Sequence, residues 1–177
     1  MLLKRLKEAP AIKKLVFIGF SGCGKTTVAQ KLAEVTSLPL FSIDEMVEEK
    51  TGTSIPEIFE KYGEEYFRQL EGEIILEVIK EKGGIIDCGG GVVERENNMK
   101  LLGSFGKIVW LKCPLETILV RLGKNDRPLL KNKDLRQIED FFQRREKLYQ
   151  RYADITVNSN RDLTRIISEL LEILNLD

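Results

Sequence analysis

Short apolar runs alternate along the chain with longer stretches in which apolar residues recur every three to four positions. The runs at 14–19 (KLVFIG), 40–43 (LFSI), 84–88 (GIIDC), 107–112 (KIVWLK) and 154–157 (DITV) predict strands. Helical spacing fills 25–36, 44–51, 55–60, 64–82, 114–122, 134–152 and 161–175. In the last of these, Leu163, Ile166, Ile167, Leu170, Leu171 and Ile173 form an apolar stripe in a helix that also carries Asp162 and Ser168. Strands that alternate with helices predict an α/β fold, a parallel sheet covered by helices. No repeat, low-complexity tract or linker interrupts the pattern, so 1–177 reads as one domain.

Composition narrows the chemistry. Hydrophobic residues make up 42% of the 177, and Lys+Arg and Asp+Glu both number 28, an ordinary globular balance. With no net field to draw it to nucleic acid or a membrane, any basic cluster must be local. No apolar stretch approaches the ~20 residues that span a bilayer. The charged start MLLKRLK lacks the apolar core and cleavage site of a signal peptide, so a cytoplasmic protein is expected. Histidine is absent, which excludes histidine triads, histidine metal ligands and imidazole acid–base catalysis. Catalysis must then rest on carboxylates, arginines, lysines, backbone amides and a bound cation. Cys23, Cys88 and Cys113 are too few and too far apart for a disulfide framework or a zinc site.

The segment GFSGCGKTTV, 19–28, joins the first predicted strand to the first helix and completes the pattern G-x-x-x-x-G-K-T. Its glycines let backbone N–H groups turn toward phosphates, and the helix N-terminus adds its dipole. Gly22, Cys23, Gly24, Lys25, Thr26 and Thr27 form the expected nucleotide cradle. Lys25 is placed to reach the β and γ phosphates and Thr26 to offer its hydroxyl to Mg²⁺. No Asn-Lys-x-Asp guanine motif accompanies it, which argues against a GTPase switch.

Other candidates are less decisive alone. Asp44 closes the second predicted strand, where α/β folds bind ligands, yet Asp is also a favoured helix N-cap. Arg68 and Glu71, in GEEYFRQLEGE, share a helical face, as a solvated ion pair would. IIDCGGGVV, 85–93, places three glycines after an apolar strand, a costly choice that makes sense where backbone lies against a ligand. DRPLL, 126–130, lies in a basic loop from which Arg127 can close over a transferring phosphate. RREKLYQRYAD, 144–154, adds arginines to a helix.

In order and approximate spacing, these motifs resemble the shikimate kinase family over about 15–160. The resemblance implies a three-layer P-loop kinase fold of the nucleoside-monophosphate-kinase type. Its five-stranded parallel sheet has the order 2-3-1-4-5, with a substrate-binding helical segment at about 44–82 and a mobile lid at about 122–134. It implies ATP- and Mg²⁺-dependent phosphorylation of the 3-hydroxyl of shikimate, in aromatic amino-acid biosynthesis. The implied partners are these small molecules alone, with no nucleic acid or membrane, on a monomer. By the same resemblance, Asp44 holds shikimate hydroxyls and acts as general base. Arg68, fixed by Glu71, and Arg145 bind the carboxylate, helped by Gly89, Gly90 and Gly91. Arg127 becomes the lid arginine, and Arg121 and the 158–161 loop lie along the adenine. The alternatives are a related kinase of gluconate or a nucleoside monophosphate, and a nucleotide-binding protein without turnover. The arginine pair beside three glycines argues for a carboxylate substrate, and Lys25, Asp44 and Arg127 argue for transfer.

Two positions depart from the family pattern. Where the family reads Asp-x-Asp after strand two, this chain reads Ser42-Ile43-Asp44. Where it commonly carries Ser or Thr on strand three, this chain carries Asp87. The expectation is that the metal-side carboxylate has moved from strand two to strand three, so that Thr26 and Asp87 face the metal. Lys147 replaces a usual proline, a change expected to matter little. The three cysteines are expected to gather at neighbouring strand ends, with Cys23 the most thiolate-like.

Overall fold

A computed structural model describes residues 13–122 and 134–175. Five parallel strands form one sheet: β1 (Lys14–Ile18), β2 (Leu40–Ser42), β3 (Gly84–Asp87), β4 (Lys107–Lys112) and β5 (Ile155–Asn158). Their order is β2-β3-β1-β4-β5, as the resemblance implies. Apart from the end residues Lys14, Gly84, Asp87, Lys107 and Lys112, the central strands β1, β3 and β4 consist of Val, Ile, Leu, Phe and Trp, as burial on both faces demands. Helices supply the covering layers. They are α1 (Lys25–Thr36), α2 (Ile43–Thr51), α3 (Ile55–Val78), α4 (Glu96–Phe105), α5 (Leu115–Leu122), α6 (Leu135–Tyr152) and α7 (Leu163–Asn175).

Right-handed crossovers sort these layers. The chain moves one way along the sheet from β1 to β2 and the opposite way from β3 to β4. The crossover helices α1 and α4 therefore cover opposite faces. The helix α7 packs on α1, while α3 packs on α4, and α6 packs on β4. Leu32, Phe17, Ile86, Leu102 and Leu111 are fully buried between the layers. The sole tryptophan, Trp110 on β4, packs 6.1 Å from the ring of Tyr149 on α6.

Most predicted elements lie within a residue or two of the observed ones, with three differences. The predicted helices 55–60 and 64–82 are one long helix, α3, kinked at Gly63 (φ 80°, ψ 174°) and ending at Val78. It starts with a capping box, in which Ser54 and Glu57 satisfy each other's free groups, and with Pro56 in its first turn. Helix α4 and the 3₁₀ turn Val92–Glu94 before it were not predicted. The sequence of α4, ENNMKLLGSF, carries two asparagines, a glycine and a serine, which weaken the helical signal. Burial of Met99, Leu102 and Phe105 against the sheet outweighs that weakness. Finally, Asp44 stands in the first turn of α2, two residues beyond the end of β2.

Candidate active site

The loop after β1 winds through positive φ at Gly19 (149°), Gly22 (83°) and Gly24 (95°), a path that side chains would strain. Gly24 is the N-cap of α1, so the free N–H groups of that helix point into the loop. Lys25 is 7% exposed. Its Nζ donates to the carbonyl oxygens of Gly19 (2.9 Å) and Phe20 (3.1 Å). The ammonium is thus held at the floor of a cleft of about 510 Å³, whose walls include Thr26, Ser42, Asp44, Asp87 and Arg121.

Asp87 is the last residue of β3 and pairs in register with Ser42 on β2. The hydroxyl of Thr26 donates to Asp87 Oδ2 at 2.7 Å. Although Asp87 is only 5% exposed, its Oδ1 has no hydrogen-bond partner among the described residues. Burial pushes its carboxyl above the usual range, with Lys25 and the Thr26 bond pulling the other way. A buried acceptor of this kind, facing a cleft beside a threonine hydroxyl, suits a small oxygen-seeking cation. No group of three or more His, Cys, Asp or Glu residues that could cage a metal occurs among the described residues. Mg²⁺ needs no such cage, because it keeps several waters and takes one or two protein groups.

Each of the three glycines after β3 lets a different side chain approach the backbone. A methyl group on Gly89 would meet Asp44 Oδ1 at 2.6 Å, and one on Gly90 would meet Ser21 Oγ at 2.9 Å. On Gly91 it would meet Arg68 Nη2 at 1.8 Å and Arg145 Nη2 at 2.9 Å. Space is the requirement here, and the two guanidinium groups converge over Gly91.

The environments of those arginines are built from acids and rings. Arg68 Nη1 donates to both oxygens of Glu71 (3.0 and 2.9 Å), which is fully buried. Its other edge reaches Glu64 Oε1 at 3.2–3.4 Å. Burial works against the charge of Arg68, but Glu71 and Glu64 more than offset it and hold its pKa up. Burial likewise raises the Glu71 carboxyl to about 7, against the pull of Arg68. Arg145 lies 4.1 Å over the Phe141 ring and donates Nε–H to Glu94 at 3.0 Å. One turn along α6, the Tyr149 hydroxyl donates to the Gly90 carbonyl, which seats the helix on the glycine segment.

The family model described as shikimate kinase matches residues 21–175, most of the chain. The chain belongs to the shikimate kinase family. A shikimate kinase of Sulfurihydrogenibium sp. is 39% identical over 162 residues, 90% of this chain and 96% of that protein. Among solved structures, the shikimate kinase of Aquifex aeolicus superposes with a TM-score of 0.80 at 33% identity, covering 92% of this chain and 96% of that one. The shikimate kinase of Acinetobacter baumannii, solved in complex with shikimate, superposes with a TM-score of 0.88 at 31% identity over 94% of each chain.

Within this shikimate kinase family fold, one cleft gathers most residues singled out in the sequence. Gly22, Gly24, Lys25, Thr26, Thr27, Asp44, Asp87, Gly89, Gly90 and Arg121 all line it, and Arg68, Gly91 and Arg145 adjoin it. Arg121 donates to the Cys23 carbonyl at 3.3 Å. In the 158–161 loop, Asn160 Oδ1 accepts from the Thr117 hydroxyl at 3.3 Å. Arg127 and residues 123–133, most of the lid expected at about 122–134, lie outside the described residues.

Cys88 and Cys113 directly follow β3 and β4, whereas Cys23 lies in the loop after β1, next to the N-cap of α1, and is not thiolate-like. Cys23 is 1% exposed beside Phe20, Cys113 and Tyr149. Burial raises its thiol pKa despite the nearby Lys25, and burial also raises Cys88 and Cys113. One further residue was missed by sequence reading. Glu94 follows a glycine run in a charged segment, where an acid reads as a solvated surface group, and only the fold brings it to Arg145.

Proposed function

We propose that the chain is a shikimate kinase, transferring the γ-phosphoryl group of ATP to the 3-hydroxyl of shikimate in aromatic amino-acid biosynthesis. The observation that carries the substrate is the meeting of Arg68 Nη2 and Arg145 Nη2 over Gly91, beside the phosphate cleft. Two planar guanidinium groups offer forked donors that suit a carboxylate. Asp44, held against Gly89 between the clamp and the loop, accepts the hydroxyl proton. The alcohol oxygen then bonds to the γ-phosphorus while the β,γ-bridging P–O bond breaks, and ADP leaves with that electron pair. Lys25 and the loop N–H groups oppose the charge on the phosphates. Arg121 flanks the base of the nucleotide, and Arg127 closes over the phosphate being transferred. No helix among the described residues is long and apolar enough to cross a membrane.

Mg²⁺, when bound, would neutralise negative charge on the nucleotide's phosphates. Thr26 and Asp87 are the residues that would hold it, and Ser42 occupies the register position beside Asp87. On this reading, the carboxylate on the metal side has moved one strand across the sheet. Titration of Mn²⁺ with ATP, followed by electron paramagnetic resonance, tests this. Asp87→Ser should weaken Mn²⁺ retention, and adding Ser42→Asp should restore it. Overlaying titrations for parent and Asp87→Ser would sink the idea.

The function itself is tested by coupled ADP release with shikimate, quinate, gluconate and nucleoside monophosphates. Shikimate should be the preferred acceptor. No release with shikimate and clear release with another acceptor would overturn the assignment.

A further inference from the structure

We infer that Glu94 is a positioning residue for Arg145, the counterpart of Glu71 for Arg68. This rests on the reading of the two arginines as the carboxylate clamp. The Arg145 guanidinium is 3% exposed, and its contacts divide the work of holding it. The Phe141 ring, 4.1 Å away, fixes the plane of the group but allows it to slip and turn within that plane. The bond from Nε to Glu94 Oε1, at 3.0 Å, stops the turning. With plane and rotation both set, Nη2 is left over Gly91, where Arg68 Nη2 also arrives.

Glu94 is itself held. Its Oε1 also accepts from Arg144 Nη2 at 2.9 Å, and its backbone N–H donates to the Gly91 carbonyl at 3.0 Å. The 3₁₀ turn that places Gly91 beneath the guanidinium groups therefore also carries the acid that aims one of them. Arg68 takes its acid from one turn along its own helix. Arg145 takes its acid from the substrate floor, so the floor and α6 keep their register through this pair.

Two effects of Glu94 on an incoming carboxylate oppose each other. Its negative charge repels the anion, and its hydrogen bond aligns the donors that bind it. The Glu94 side chain is 23% exposed, so water screens its charge. Misaligned donors at a 3% exposed guanidinium have no such relief, and a buried donor left unsatisfied is costly. Alignment therefore wins.

Isothermal titration of shikimate and of ATP into Glu94→Ala, Glu94→Gln and Arg145→Ala tests this. Glu94→Ala should weaken shikimate on the order of tenfold, the size of one charge-assisted hydrogen bond, with ATP affinity and kcat within about twofold. Its KM for shikimate should rise in step, and its preference for shikimate over the corresponding carboxamide should shrink. Glu94→Gln keeps an acceptor for Nε–H and should stay within about threefold of the parent. Unchanged or tighter shikimate binding in Glu94→Ala would overturn the inference. So would an equal loss in both Glu94 variants, or a parallel loss of ATP affinity and melting temperature. Parent-like shikimate binding by Arg145→Ala would instead overturn the clamp reading.

Discussion

The two ends of the cleft are built on different plans. The phosphate end is mostly backbone: nine consecutive residues, 19–27, with a helix N-terminus and one lysine. The carboxylate end is side chains gathered from afar, with Arg68 and Glu71 on α3, Gly91 and Glu94 in the turn after β3, and Arg145 on α6. On the proposed function, phosphates are met by N–H groups that the loop presents through its own path, and the carboxylate by two cations, each steadied by an acid. A change at the first end should then disturb chemistry, and a change at the second recognition and stability together.

The largest effect should come from the phosphate end and from Asp44, which stands between the two ends. Lys25→Ala and Asp44→Asn should each lower turnover by on the order of a thousandfold or more, measured as ADP release at saturating shikimate. Loss of affinity without loss of turnover would erase the contrast between the ends. At the other end, Glu71→Ala leaves Arg68 buried without its main partner and should cost about 3–5 kcal/mol in denaturant unfolding. A cost under about 1 kcal/mol would mean that the pair behaves like a surface one. Gly91→Ala puts a methyl group where Arg68 Nη2 now lies, 1.8 Å away. Shikimate affinity should fall on the order of 100-fold, about 3 kcal/mol, with ATP affinity kept. Equal losses for both ligands would show that Gly91 serves the fold and not the clamp.

The smallest effect is a proton. The folded protein holds the Glu71 carboxyl at about 7, above its ordinary 4.5, so the native state binds this proton more tightly than the unfolded chain. Stability from this group is then full below about pH 4.5 and is lost as pH rises through 7. A shikimate carboxylate beside Arg68 adds negative charge and raises Glu71 further. Binding near pH 7 should take up a fraction of a proton, read by calorimetry in buffers of different ionisation enthalpy. Glu71→Gln should abolish the uptake, and an unchanged signal in that variant would assign the proton elsewhere.

The same contrast governs what the sequence made legible. The phosphate loop is contiguous, so its residue types and spacing reveal it without a fold. Asp44 and Asp87 were visible because strand ends point to the crevice, although Asp44 belongs to the first turn of α2. Arg68 and Arg145 stood out only by family resemblance, since arginines on helices usually face water. Glu94 was not legible at all: its partner is 51 residues away. Cys23 was misjudged because a loop sequence does not say where a side chain turns. Here it is buried beside Phe20 and Tyr149, and although its sulfur lies 4.0 Å from Lys25 Nζ, burial outweighs that cation. Helix α4 was missed because its signal comes from burial and not from propensity.

The packing of Trp110 on Tyr149 has a spectroscopic consequence. With a single indole in the chain, all tryptophan emission comes from one point in the sheet, buried and 6.1 Å from a ring that bonds the Gly90 carbonyl. Gly90 adjoins the residue over which the two arginines meet. The protein therefore carries its own fluorophore, connected through one phenol to the substrate floor. Quenching or a shift in that emission on adding shikimate, with no label attached, is the expected sign that the proposed carboxylate end is occupied.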